Sequence, residues 1–210
     1  MTRVSPRRTA VGLALIIGAT FGGVAVSHSQ GTVAEQRARL PEPASCDDPI
    51  AGVWQSHAHF PEQQYWVRRT LTIERLDGVL PEIEGTIMSH FWYGDADQSE
   101  PGPCLGVTHA EVETDARGTY DGERVVFNSV SPPRWVNVFC GYPGLYNPDN
   151  FSGEVDESIH EFQAVNNDGG WAVNRAEVFR RIDCLGDTPP VSLTVSAPPF
   201  FPESTGGCRR

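Results

Sequence analysis

The chain has 210 residues, with 27 acidic against 16 basic side chains, no lysine and a formal net charge of −11. A chain this acidic is repelled by nucleic acid and by anionic membranes, so neither class of partner is expected. The length suits a single domain with flanking segments, read here as a monomer.

Arg3, Arg7 and Arg8 form a basic start, and the run from Ala10 to Val26 is uncharged and apolar. Ala25-Val26-Ser27 then supplies a small-x-small site. This pattern predicts a signal peptide over residues 1–27 and export to the periplasm or the cell exterior, with no membrane insertion after cleavage. The alternative is an uncleaved anchor, although the apolar run is near the lower limit of about 17 residues for a span. Residues 28–45, which include Pro41-Glu42-Pro43, read as a linker. Residues 185–210 are rich in proline and read as a disordered tail.

Between these flanks, residues 46–184 carry period-2 alternation. Val67, Leu71 and Ile73 alternate with Arg68, Thr70, Thr72 and Glu74, as in a half-buried strand. Ile83 to Tyr93 repeats the pattern, with Ile83, Ile87, Phe91 and Tyr93 in one register and Met88 and Trp92 in the other. Further strands are predicted over Leu105–Glu113, Val125–Phe127, Trp135–Cys140, Phe151–Asp156, Ile159–Val165 and Trp171–Ile182. Asn166-Asn167-Asp168-Gly169-Gly170 is the sharpest hairpin signal, since Asn, Asp and Gly tolerate positive φ. No segment shows a helical period. The fold class predicted is all-β, a single antiparallel meander barrel of about eight strands, with a β-sandwich as the alternative.

Five cysteines in an exported chain point to disulfides. Cys46 and Cys184 bracket the patterned region, while Cys104 and Cys140 lie on β-patterned segments. The pairings predicted are Cys46–Cys184 and Cys104–Cys140, leaving Cys208 over.

Gly52-Val53-Trp54, at the first strand, resembles the Gly-x-Trp motif of the lipocalin-like (calycin) barrels. In that family an arginine from the last strand region packs across the tryptophan, and Arg180 or Arg181 stands at the matching place. The resemblance implies that Gly52, Trp54 and one of these arginines close the barrel. The family's middle motif, Thr-Asp followed by an aromatic, has no counterpart, because Thr114-Asp115 is followed by Ala116. No helix is read after the last strand.

For chemistry, His57-Ala58-His59 places two imidazoles on one face of a strand, where both can reach one metal. With His90 or His109 they make a candidate zinc site, zinc being the one cofactor the sequence suggests. The cupin pattern is not met, because Glu62 falls one residue early. Asp95, Asp97 and Ser99 begin like a calcium loop, but Glu100 stands where glycine is required. Glu154, Asp156 and Glu157 read as the polar face of a strand, and no nucleophile elbow is present. Trp92, Tyr93, Tyr142 and Tyr146 adjoin or occupy long loops and are the candidate ligand-binding aromatics. The expected function is to hold a small apolar or amphipathic molecule without catalysis. The alternatives are a metal-binding protein or metal-dependent enzyme using His57 and His59, and a structural domain with a filled barrel.

Overall fold

A computed structural model describes residues 32–76, 81–104, 107–170 and 174–186. Residues 1–31, which include the predicted signal peptide, residues 187–210 with Cys208, and Leu105 and Trp171 lie outside them. Among the described residues nine strands follow a short helix: α1 (Val33–Arg39), β1 (Gly52–Phe60), β2 (Tyr65–Arg75), β3 (Glu82–Tyr93), β4 (His109–Tyr120), β5 (Arg124–Ser129), β6 (Arg134–Cys140), β7 (Asn150–Asp156), β8 (Glu161–Asn166) and β9 (Arg175–Asp183).

Every strand pairing is antiparallel. Neighbours run β1-β2-β3-β4-β5-β7-β8-β9, and β9 returns to β1. The result is a closed eight-stranded meander, the predicted class. Closure removes the free edges that an open sheet would expose. β4 pairs along its whole length with β3. Its other edge is shared: Ala116–Tyr120 pair with β5, and His109–Glu113 pair with β6. β5 and β6 are thus one strand interrupted at residues 130–133, and β6 extends beyond the point where β7 pairs with β5.

The closed end of the barrel forms around Trp54, which is fully buried. Its indole Nε1 donates to the Ile50 carbonyl at 2.9 Å, and the Arg181 guanidinium lies 5.3 Å from the ring centroid. Arg181 also donates to the Asp48 carbonyl and contacts His160 Nδ1 at 3.1 Å. Of the two arginines that the sequence leaves open, Arg181 is therefore the one across the tryptophan. Arg180 faces the other way and pairs with Glu161 at 2.7 Å. Gly52 has φ +149°, and a Cβ there would meet the Asp183 carbonyl oxygen at 2.8 Å and Arg181 Cδ at 2.9 Å, so glycine is required. Cys46 and Cys184 stand at disulfide distance with Cα atoms 5.6 Å apart, joining the approach to β1 to the exit from β9. Above this end, Leu71, Ile73, Ile87, Phe127, Phe151, Phe162 and Phe179 fill the interior. Phe162 stacks on Phe179 at 5.2 Å, and Phe151 meets Phe179 edge-on at 4.9 Å.

Residues 32–40, read from the sequence as linker, instead form a capped helix packed on the barrel. Thr32 and Glu35 make a reciprocal capping box. β1 and β9 pair only over Val53–Gln55. Beyond that point the buried Gln36 side chain takes the place of a strand. Its Oε1 accepts from the Val178 N–H at 3.0 Å, and its Nε2 donates to the Ala176 carbonyl at 3.4 Å. A seven-residue helix held by polar contacts, with Arg37 paired to Glu161 at 2.6 Å and Arg39 over the Trp66 ring beside the Gln36 amide, leaves no apolar period to read.

Three outcomes test this account. Trp54→Ala is expected to lower unfolding free energy by about 3–5 kcal/mol in a urea titration. Gln36→Ala is expected to cost about 1–3 kcal/mol, because two buried β9 groups lose their partner. Peptide mapping without reductant is expected to yield Cys46–Cys184 and Cys104–Cys140 peptides, and a Cys46–Cys104 peptide would contradict the fold.

Candidate functional site

Alternation on β2 sends Tyr65, Val67, Arg69, Leu71 and Ile73 inward. Arg69 is the charged residue on that apolar face, and it is only 5% exposed. Such a charge is stable in a barrel interior only with its donors matched. Its Nε and Nη2 each lie 3.1 Å from an oxygen of Asp149, and its Nη1 lies 2.9 and 2.8 Å from the two oxygens of Glu177. Asp149 ends the 141–149 segment, which dips into the barrel. Its carboxylate also accepts from Ser89 Oγ at 3.0 Å, Asn166 Nδ2 at 2.6 Å and the Tyr146 hydroxyl. Glu177, on β9, accepts from Ser56 Oγ on β1. Burial alone would lower the Arg69 pKa, but the Asp149 and Glu177 carboxylates overcome it and hold the pKa well above the ordinary value. The Tyr146 hydroxyl is pushed up by burial and then by Asp149, so it stays protonated.

This ionic layer crosses the barrel from β1, β2 and β3 to β8 and β9. Below it the interior is filled. Above it a cavity of about 340 Å³ opens at the barrel mouth. Tyr65, Val67, Phe91, Tyr93, Tyr142 and Tyr146 line its walls, and Arg69 and Asp149 form its floor. Tyr65 and Tyr93 meet edge-on at 5.2 Å, while Phe91 and Tyr146 stack at 6.3 Å. Tyr93, Tyr142 and Tyr146 thus come together from the predicted ligand set. Arg69, Asp149, Tyr65 and Phe91 line the same cavity and are not among the residues that the sequence singles out, although Arg69 carries a signal there, a charge in the apolar register between Val67 and Leu71.

Trp92 lies elsewhere, on the outer wall. There His57 and His59 from β1, Trp66 from β2, His90 and Trp92 from β3, His109 from β4 and Phe139 from β6 form a ladder across the strands. His59 stacks on Trp66 at 4.3 Å, Trp66 on Trp92 at 6.1 Å, and His109 on Phe139 at 4.2 Å. Residues 94–104 fold over this face as a strap. The Trp66 indole donates to the Asp95 carbonyl at 2.9 Å and the Trp92 indole to the Gln98 carbonyl at 3.1 Å. His59 Nε2 lies 3.2 Å from the Gly94 carbonyl. Cys104 and Cys140 stand at disulfide distance and fasten the strap to β6. Trp66 and His57, although on the outer face, are therefore buried.

The four histidines of the metal reading divide into two groups along this ladder. His57 and His59 are engaged with Trp66, whereas His90 and His109 stack with their Nε2 atoms 2.8 Å apart, one ring donating to the other. Among the described residues no group of three or more His, Cys, Asp or Glu side chains is placed to hold one metal ion. Asp95 accepts from Gln64 Nε2 at 2.6 Å and braces the strap. Glu154 and Asp156 are exposed on the outer face of β7. No described helix is long and apolar enough to cross a membrane.

No protein-family model, no curated protein and no solved structure matches the chain.

Two measurements bear on this geometry. Arg69→Met leaves two buried carboxylates without their cation and is expected to cost about 3–5 kcal/mol in chemical denaturation. His57 supplies a pH signature. Burial between the two indoles, helped by the nearby Arg68 charge, lowers its pKa from 6.5 to about 4. Over that window the unfolded chain binds a proton that the folded chain excludes. Stability is full above pH 6.5 and falls on acidification toward pH 4, with a slope of up to about 1.4 kcal/mol per pH unit from this group. His57→Gln is expected to flatten that slope by up to about one proton in melts recorded across the window.

Proposed function

We propose that this chain is an exported binding protein that holds a small apolar or amphipathic molecule at the mouth of its barrel. The observation that carries the reading is the cavity of about 340 Å³ between aromatic walls and a closed ionic floor. Its size lies at the lower end of the range of about 300–1,000 Å³ typical of small-molecule sites. The floor sets the depth: a ligand enters as far as Arg69 and Asp149 and meets the filled core below them. Exposed side chains at the rim, Tyr93 at 46% and Tyr142 at 85%, supply apolar area that a ligand would cover. The resemblance of Gly52-Val53-Trp54 to the lipocalin-like barrels supports the same use of the fold. Export is supported by the leader pattern of residues 1–27 together with two cysteine pairs at bonding distance, which suit an oxidising compartment.

The test is a fluorescence titration with Nile red, an uncharged apolar dye. A saturable one-to-one rise is expected. Val67→Trp, which fills the cavity from β2, is expected to abolish it at a cost in stability of about 1–3 kcal/mol, with the barrel still folded by circular dichroism. Tyr142→Ala is expected to weaken it about three- to tenfold without destabilising the fold. A titration that does not saturate, or one unchanged by Val67→Trp, would sink the proposal.

A further inference from the structure

The mouth cavity changes character with depth. At its floor, Arg69 and Asp149 are buried and committed to their neighbours. All three guanidinium nitrogens of Arg69 donate to Asp149 and Glu177. The Asp149 carboxylate accepts five hydrogen bonds, two from Arg69 and one each from Ser89, Asn166 and Tyr146. A carboxylate offers only about four lone-pair sites, so no capacity is left for a ligand. The Tyr146 hydroxyl donates to Asp149 and lies within hydrogen-bonding reach of Ser89. One cation between two carboxylates also leaves the floor with a formal excess of one negative charge. A buried arginine in a barrel has the form of an anion receptor, but this one is already occupied by the protein's own anions.

Above the floor the walls include Val67 and Phe91, both buried and without polar side-chain atoms. At the rim, Gln63, Tyr142 and Asn147 are exposed, so amide and phenol groups stand there in water. A polar head carried to the floor would give up its hydration and gain no partner in return. The same head left at the rim keeps its water, while the apolar end covers Val67 and Phe91.

We infer that the mouth cavity takes an amphiphile apolar end first, leaves the polar head at the rim, and therefore accepts heads of different size and chemistry. This rests on the cavity being the binding site. Affinity comes from the apolar chain, and the saturated floor selects against any molecule with a polar group at its inner end.

The experiment is isothermal titration calorimetry of the full chain with four probes that share an eight-carbon chain: octanol, octyl β-glucoside, 1,8-octanediol and octanoate. The glucoside is expected to bind within about fivefold of octanol, because its large head stays outside. Octanediol is expected to bind about tenfold or more weakly than octanol, because one hydroxyl must go to the floor without a partner. Octanoate is expected to bind no more tightly than octanol. Val67→Trp is expected to abolish binding of octanol and of the glucoside. A weaker or excluded glucoside, an octanediol affinity close to that of octanol, or octanoate binding more tightly than octanol would each overturn the inference and leave the cavity as a site that takes its ligand head first. Octanol or glucoside binding that survives Val67→Trp would lie outside the cavity and overturn it as well. Failure of all four probes would remove both this inference and the reading of the cavity on which it rests.

Discussion

The guanidinium of Arg69 is the interaction on which the arrangement of the barrel depends. It holds Asp149, 80 residues later in the chain, and Glu177, 108 residues later. Through them it joins β2 to β9 and pins the segment that crosses the mouth. Burying three charges in a protein interior is unfavourable unless their hydrogen bonds are complete. Completeness is supplied by Ser56, Ser89, Tyr146 and Asn166. A network that tolerates no missing member fixes strand register more sharply than apolar contact, which permits small slips. It also divides the interior into a packed core beneath and, above, a second buried cluster that includes Phe60, Val67, Phe91 and Val112, beside which the mouth cavity opens.

The two ends of the barrel consequently do different work. The closed end is built for closure alone: an indole under a guanidinium, a glycine where a Cβ does not fit, and a cysteine pair joining first strand to last. The open end holds the tyrosine-rich cavity over its ionic floor. Between them the β1–β9 seam is incomplete, and α1 repairs it. The Gln36 amide presents a carbonyl acceptor and an N–H donor side by side, as a peptide unit does, with a second N–H to spare, so it satisfies β9 as a neighbouring strand would.

The outer wall carries a second apolar cluster, which is uncommon for a face turned to solvent. Trp66 and Trp92 lie parallel, 7° between their planes, and the strap seals them. Histidine suits this environment because a neutral imidazole stacks like an aromatic ring while offering polar atoms to the strap carbonyls. The same burial accounts for the lowered His57 pKa. Histidines that suggest a metal from their His-x-His spacing are here part of a stacked lining.

Much of this was legible from alternation. Period-2 patterning identified the strands, the Asn166–Gly170 signal marked the β8–β9 connection, and cysteine placement gave the two pairs now seen at bonding distance. Trp92 even fell in the outward register with Met88, although its place beside a long loop suggested the mouth. Alternation assigns each residue to one of two faces, but long-range contact decides what each face meets. The sequence by itself therefore determined the all-β class, the meander order and the closing motif at Trp54. Tertiary structure alone decided that Arg181 and not Arg180 crosses Trp54, that Arg69 meets Asp149 and Glu177, and that residues 94–104 bury an outer wall. Those outcomes depend on barrel closure and on loops without a period, which bring together side chains tens of residues apart.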